Sequence, residues 1–178
     1  MATAEIDLTM TPYQVADETF VIPWILEAPP VGFFPMNSMV IRGSEPMIVD
    51  TGAPANREEW LRNVASVVDL DDVRWIFLSH DDRDHSGNLL AALEACPNAT
   101  LLTTWFMVGR MFEEWPTPLE RCRFLNDGPQ VMQVHGQDGD VASFNQATQL
   151  RVAHWAIVVV GSQCQHGDHG TIRLGYSR

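Results

Sequence analysis

Basic residues are scarce in this chain: 11 Lys and Arg stand against 23 Asp and Glu, for a formal net charge of -12. They form no cluster, which argues against nucleic acid or an anionic membrane as a partner. Long apolar runs are missing too. No stretch of 18 apolar residues occurs, so no transmembrane helix is expected. The N-terminus, Met1-Ala-Thr-Ala-Glu-Ile-Asp7, lacks the basic region and apolar core of a signal peptide. Cysteine is limited to Cys96, Cys122 and Cys164, odd in number and widely spaced. That does not suggest a disulfide framework, and a reducing cytoplasm fits best. Internal repeats and low-complexity tracts are absent as well. What remains is a 178-residue chain, 46% hydrophobic and 19% charged, long enough to bury one sizeable core.

The densest chemistry lies in residues 79–88, Ser-His-Asp-Asp-Arg-Asp-His-Ser-Gly-Asn. His80, Asp82, Asp84 and His85 are four candidate metal ligands within six positions. The preceding stretch 73–79 is apolar and β-rich and reads as a buried strand, so the ligands stand on the loop that leaves it. Residues 86–88 then open a helix over 89–96. Imidazole and carboxylate together suit zinc, iron and manganese, whereas calcium and magnesium prefer oxygen alone. His80 and Asp82 can face one ion while Asp84 and His85 face a second. Two adjacent ions can bind and polarise an oxygen species between them. The bland alternative is a surface loop that binds nothing.

The upstream context argues against that alternative. Residues 36–52 read Met-Asn-Ser-Met-Val-Ile-Arg-Gly-Ser-Glu-Pro-Met-Ile-Val-Asp-Thr-Gly. Two short strands, 38–42 and 47–50, flank a Gly-Ser-Glu-Pro turn. A helix over 56–68 follows, with Trp60, Leu61, Val64, Val67 and Val68 at helical spacing, and then the strand that delivers the ligands. This order of motifs resembles the metallo-β-lactamase superfamily over roughly residues 18–155. The resemblance implies an α/β fold, an αββα sandwich, here truncated after its N-terminal half.

One position departs from the superfamily's hydrolases, which carry HxHxDH: Asp82 stands where the second His would be. A carboxylate there resembles the flavodiiron proteins and their oxygen-binding relatives, which use HxExDH, with Asp shorter than Glu. It makes the site harder and more anionic, and shifts preference from zinc toward iron or manganese. The resemblance implies a non-haem di-iron site that binds or reduces O₂ or NO with help from an electron-donor protein. No flavodoxin-like domain is present in this sequence. Two other readings stay open. One is a zinc hydrolase in which a metal-bound hydroxide attacks an ester, thioester, amide or phosphoester. The other is a non-catalytic remnant that binds metal weakly. The first two lean toward an enzyme; a pairing of two copies is left open.

The resemblance also implies a third His after a later strand, and His154, within Gln149-Leu-Arg-Val-Ala-His-Trp155, is the candidate. His135 competes but reads better as an exposed residue at a strand end. Asp50 ends a strand before Thr51-Gly52. It is expected to brace the loop by accepting backbone N–H bonds and to support a metal-binding His rather than ligate directly. Ser86 has no neighbouring base at useful spacing, so a serine nucleophile is not expected.

Elsewhere, residues 1–17 are expected to form a loose lead and 19–23 a strand. Residues 27–35 should form a Pro-rich loop, either packed on the core or walling the metal pocket. A strand is expected at 100–104, a helix at 105–114 and a second short helix at 119–124. The tail, 156–178, holds Cys164, His166, Asp168 and His169 without any organising period. Read one base later with suitable codons, residues 168–174 would give Thr-Thr-Gly-Leu-Phe-Asp-Ser. That resembles a stretch following the third-ligand region in relatives, so an out-of-frame tail on a longer natural protein is expected.

Overall fold

A computed structural model describes residues 8–112 and 116–125, together with the strand backbones of 129–132, 141–146 and 155–160. Its main element is a seven-stranded sheet in the order β1-β2-β3-β4-β5-β6-β7. The strands are β1 (Tyr13–Ala16), β2 (Thr19–Ala28), β3 (Gly32–Ile41), β4 (Met47–Val49), β5 (Trp75–Phe77), β6 (Thr100–Thr103) and β7 (Cys122–Phe124). The first four pair antiparallel, and β4 to β7 run parallel. Helices α1 (Arg57–Ala65), α2 (Arg83–Ser86), α3 (Leu89–Ala95) and α4 (Trp105–Met111) fill the connections between parallel strands, as parallel pairing requires. Three further strands, β8 (Pro129–Met132), β9 (Val141–Gln146) and β10 (Trp155–Val160), form a separate antiparallel sheet.

The central strands β4 and β5 are apolar throughout because both of their faces are covered. Ile48, Ile76, Leu78 and Leu101 point to the helix side, where they meet Trp60, Val64, Leu89, Leu93 and Met107. Their neighbours in sequence, Met47, Val49, Phe77 and Leu102, point the other way into a second cluster with Ile41, Trp75 and Leu125. The Trp60 indole is buried and donates to Ser38 Oγ at 2.7 Å, which pins α1 to β3.

Several elements differ from expectation. The stretch expected to be a loose lead supplies β1, an edge strand with all four residues exposed. The Pro-rich segment is a hairpin rather than a loop: β2 and β3 pair from Thr19↔Ile41 out to Ala28↔Gly32. Its turn is closed by Val31 N–H donating to the Ala28 carbonyl at 2.8 Å. Pairing on the antiparallel side of the sheet lets Pro23 and Pro35 sit within strands, and Phe33 and Phe34 are left exposed on the arm. The segment 119–124 is not a helix. A single 3-10 turn at Leu119–Arg121 leads straight into β7. There the Arg121 guanidinium donates to the carbonyls of Leu93, Cys96 and Ala99, which closes the end of α3. The tail boundary at 156 falls inside β10, and residues 161–178 lie outside the described residues.

Candidate metal centre

Parallel pairing of β4 with β5 matches Val49 with Phe77, so the two strands end side by side. Asp50 leaves one and Ser79-His80 leaves the other. This is the carboxyl edge of the parallel strands, where open α/β sheets place their ligands. Asp50 adopts φ +59, in the left-handed region that Asp tolerates better than most residues. Its N–H still reaches the Phe77 carbonyl at 2.8 Å. The turn so formed aims its carboxylate across at β5.

That carboxylate organises the loop. Oδ1 accepts the Ser79 N–H at 2.7 Å, and Oδ2 accepts the Ser79 hydroxyl at 2.7 Å and His85 Nδ1 at 2.7 Å. Ser79 Oγ also lies 3.0 Å from His80 Nδ1. A hydroxyl has one proton; once it is given to Asp50, the oxygen accepts from Nδ1–H of His80. Both imidazoles therefore carry their proton on Nδ1 and turn Nε2 outward, free to bind a metal. Burial works most strongly against the charged form of His85. The hydrogen bond and charge of Asp50, with the charges of Asp84 and Asp82, outweigh it and raise the pKa above the ordinary histidine value.

Each free Nε2 faces a carboxylate. His80 Nε2 is 3.4 Å from Asp82 Oδ2, and His85 Nε2 is 3.3 Å from Asp84 Oδ2. Two donors about 2.0–2.2 Å from a shared ion at ordinary coordination angles stand roughly 3–3.5 Å apart, so both pairs fit. The two rings are themselves in contact, with centroids 3.7 Å apart. One donor atom each from His80, Asp84 and His85 lies within 4.8 Å of the others, close enough for a single ion to draw on all three. Asp82 stands outside that group, with 65% of its side chain exposed, and touches it through His80. Asp81 turns away and pairs with Arg110 at 2.7 Å. His154 and His135 lie outside the described residues, as do His166, Asp168 and His169.

The loop is sewn to the turn after β4. Thr51 donates its N–H (2.6 Å) and its hydroxyl (3.0 Å) to the His85 carbonyl, and Gly87 N–H reaches the Gly52 carbonyl at 2.9 Å. Asn88 Nδ2 then holds the Ala53 carbonyl at 2.9 Å. Two glycines permit this. Gly52 sits at φ +66, and a Cβ on Gly87 would collide with the Pro54 ring and the Arg83 carbonyl. The Asp50-Thr-Gly and His85-Ser-Gly-Asn motifs are thus one unit. Reading them separately missed Ser79, although its place between a strand end and the first His was a usable signal.

Fold and site together define a metal-binding α/β domain with an Asp-supported histidine-carboxylate loop. Residues 31–144 match the metallo-beta-lactamase superfamily, and the chain belongs to it. Among curated relatives it is 31% identical over 68 residues to an anaerobic nitric oxide reductase flavorubredoxin of Vibrio vulnificus, covering 38% of this chain and 14% of that one. It is 30% identical over 103 residues to a diflavin flavoprotein of Nostoc, described there as putative, covering 53% and 18%. The rubredoxin oxygen:oxidoreductase of Desulfovibrio gigas superposes with a TM-score of 0.69 at 18% identity, over 84% of this chain and 38% of that one. The chain thus spans less than a fifth of the length of these two curated relatives. No helix among the described residues is long and apolar enough to cross a membrane.

Proposed function

We propose that this chain is the metal-binding part of a non-haem di-iron protein that binds or reduces O₂ or NO, supplied with electrons by a partner protein. The observation that carries the reading is the pair of His–carboxylate couples, His80–Asp82 and His85–Asp84, set against each other with both Nε2 atoms free. A carboxylate beside His80 favours iron or manganese over zinc. The names of the relatives, a nitric oxide reductase and an oxygen:oxidoreductase, support the same chemistry. His80, Asp82, Asp84 and His85 would hold the ions, joined by His154 as the candidate third ligand of the first. Two bound irons would supply oxygen or nitric oxide binding and electron storage. The chain's own part is positional: Asp50 and Ser79 fix the tautomers and aim of both imidazoles.

Elemental analysis of protein purified without added metal is the test. Near-stoichiometric iron, with absorption bands that change on adding oxygen to the ferrous form, is the expected result. Bound zinc together with ester or thioester turnover would replace this reading by the hydrolase. Iron without any oxygen- or NO-dependent band would sink it.

A further inference from the structure

The geometry points to Arg110, on α4 and outside the metal loop, as a positioning residue for the His80–Asp82 couple. This inference rests on the metal-binding reading above. Arg110 Nε lies 2.7 Å from Asp81 Oδ2. Asp81 stands between two proposed ligands, and its carboxylate is drawn outward to α4 while His80 and Asp82 meet each other at 3.4 Å. The Asp81 side chain is only 12% exposed although Arg110 is 57% exposed, so the carboxylate is withdrawn from water and depends on its partner.

The element that carries Arg110 is fixed. Met107, Val108 and Met111 bury the inner face of α4. Thr104 caps its start by accepting the Met107 N–H at 3.2 Å. Arg110 thus transmits the position of a core helix to the loop. The two couples are fastened differently: Asp50 and Thr51 hold His85, whereas Asp81 and Asp82 are tied to α2 through their carbonyls, and the Asp82 side chain is largely exposed and makes no cap hydrogen bond. Loss of the ion pair frees Asp81 to swing inward. The backbone of 81–82 stays tied to α2 through its carbonyls, so the change is one of side chains: a third carboxylate would compete with Asp82 beside His80. That change acts on the His80–Asp82 couple first.

The experiment is a cobalt(II) titration of the full chain followed by its visible absorption, with His80→Ala and His85→Ala used to assign which binding step belongs to which couple. Arg110→Met should weaken the His80-dependent step by about tenfold, within the range for outer partners of metal ligands. The melting temperature should fall modestly as Asp81 loses its partner, while the His85-dependent step stays at the wild-type value. Arg110→Lys, which keeps the charge but not the fork, should recover part of the loss. Should Arg110→Met not fold, Asp81→Asn reads the same coupling, because an amide loses most of the attraction to the guanidinium. Wild-type titration by both variants overturns the inference, as does a uniform loss at both steps that tracks a fall in stability. A wild-type chain that takes up no cobalt overturns the metal-binding reading and this inference with it.

Discussion

His85 and Asp84 reach the site from α2, which is sewn to the turn after β4 through Asp50, Thr51 and Gly52. His80 and Asp82 stand on the outer run of the same loop. Ser79 Oγ steadies one of them, Asp82 is largely open to water, and Asp81 between them leans on a surface arginine. The inner half is backbone-tied and belongs to the core. The outer half is tied to α2 through the Asp81 and Asp82 carbonyls, but its Asp82 side chain stands largely in water and makes no cap hydrogen bond. Asp82, the position that departs from the hydrolase pattern, lies in this more exposed half.

The comparison can be broken most forcefully at its hinge. Asp50→Ala removes the acceptor of the Ser79 N–H, the Ser79 hydroxyl and His85 at once. It should lower metal affinity by about 10–100-fold, the usual cost of losing such an outer partner. Calorimetric titration with zinc and ferrous iron would show it; wild-type affinity would mean that the loop does not depend on the strand-end carboxylate. Gly87→Ala tests the inner half alone. Its new methyl meets the Pro54 ring and the Arg83 carbonyl, and overpacking of this kind costs about 1–3 kcal/mol. Urea unfolding should give that loss, and a stability unchanged within error would show that the turn and loop can part.

Asp82→His probes the outer half. Asp82 is exposed, so stability should move by no more than about 0.5 kcal/mol. Zinc retained relative to iron should rise several-fold, as read by elemental analysis after competition between the two metals. Iron kept as before would remove the argument drawn from this position. The smallest effect concerns the floor under the inner half. Cys96 is buried in the helix-side cluster, and burial pushes its thiol up to about 11. Because the thiolate is the reacting form, alkylation by iodoacetamide at pH 8 should be slow and should quicken as pH rises toward that value. Mass mapping that finds Cys96 modified as fast as in the urea-unfolded chain would show that this core is open.

Much of this was legible along the chain because it is written in local pattern. The apolar runs around residues 48 and 76 announced central strands, and the spacing of Trp60 and Val64 announced α1. The crowding of His80, Asp82, Asp84 and His85 marked the site. What stayed hidden depends on which distant residues meet. Nothing near Arg110 in sequence tells that it faces Asp81, or near Gly87 that Pro54 lies against it. Residues 119–124 have helical composition, but edge pairing of β7 with β6 and the bonds of Arg121 to the end of α3 outweigh that preference. The Pro-rich arm differs from expectation because prolines suggest a loop, whereas an antiparallel hairpin accepts them where no ladder hydrogen bond is needed.

The adjacency of β4 and β5 bears on portability. The decapeptide that carries four candidate ligands owes its shape to an aspartate 29 residues before its first member and to a turn it does not contain. Transplanted into another scaffold or synthesised alone, it would keep its composition and lose the tautomers, the facing of the two rings and the pairing of each with its own carboxylate. The smallest transferable unit runs from the start of β4 to Asn88, with α1 included as the spacer that brings the two strand ends together.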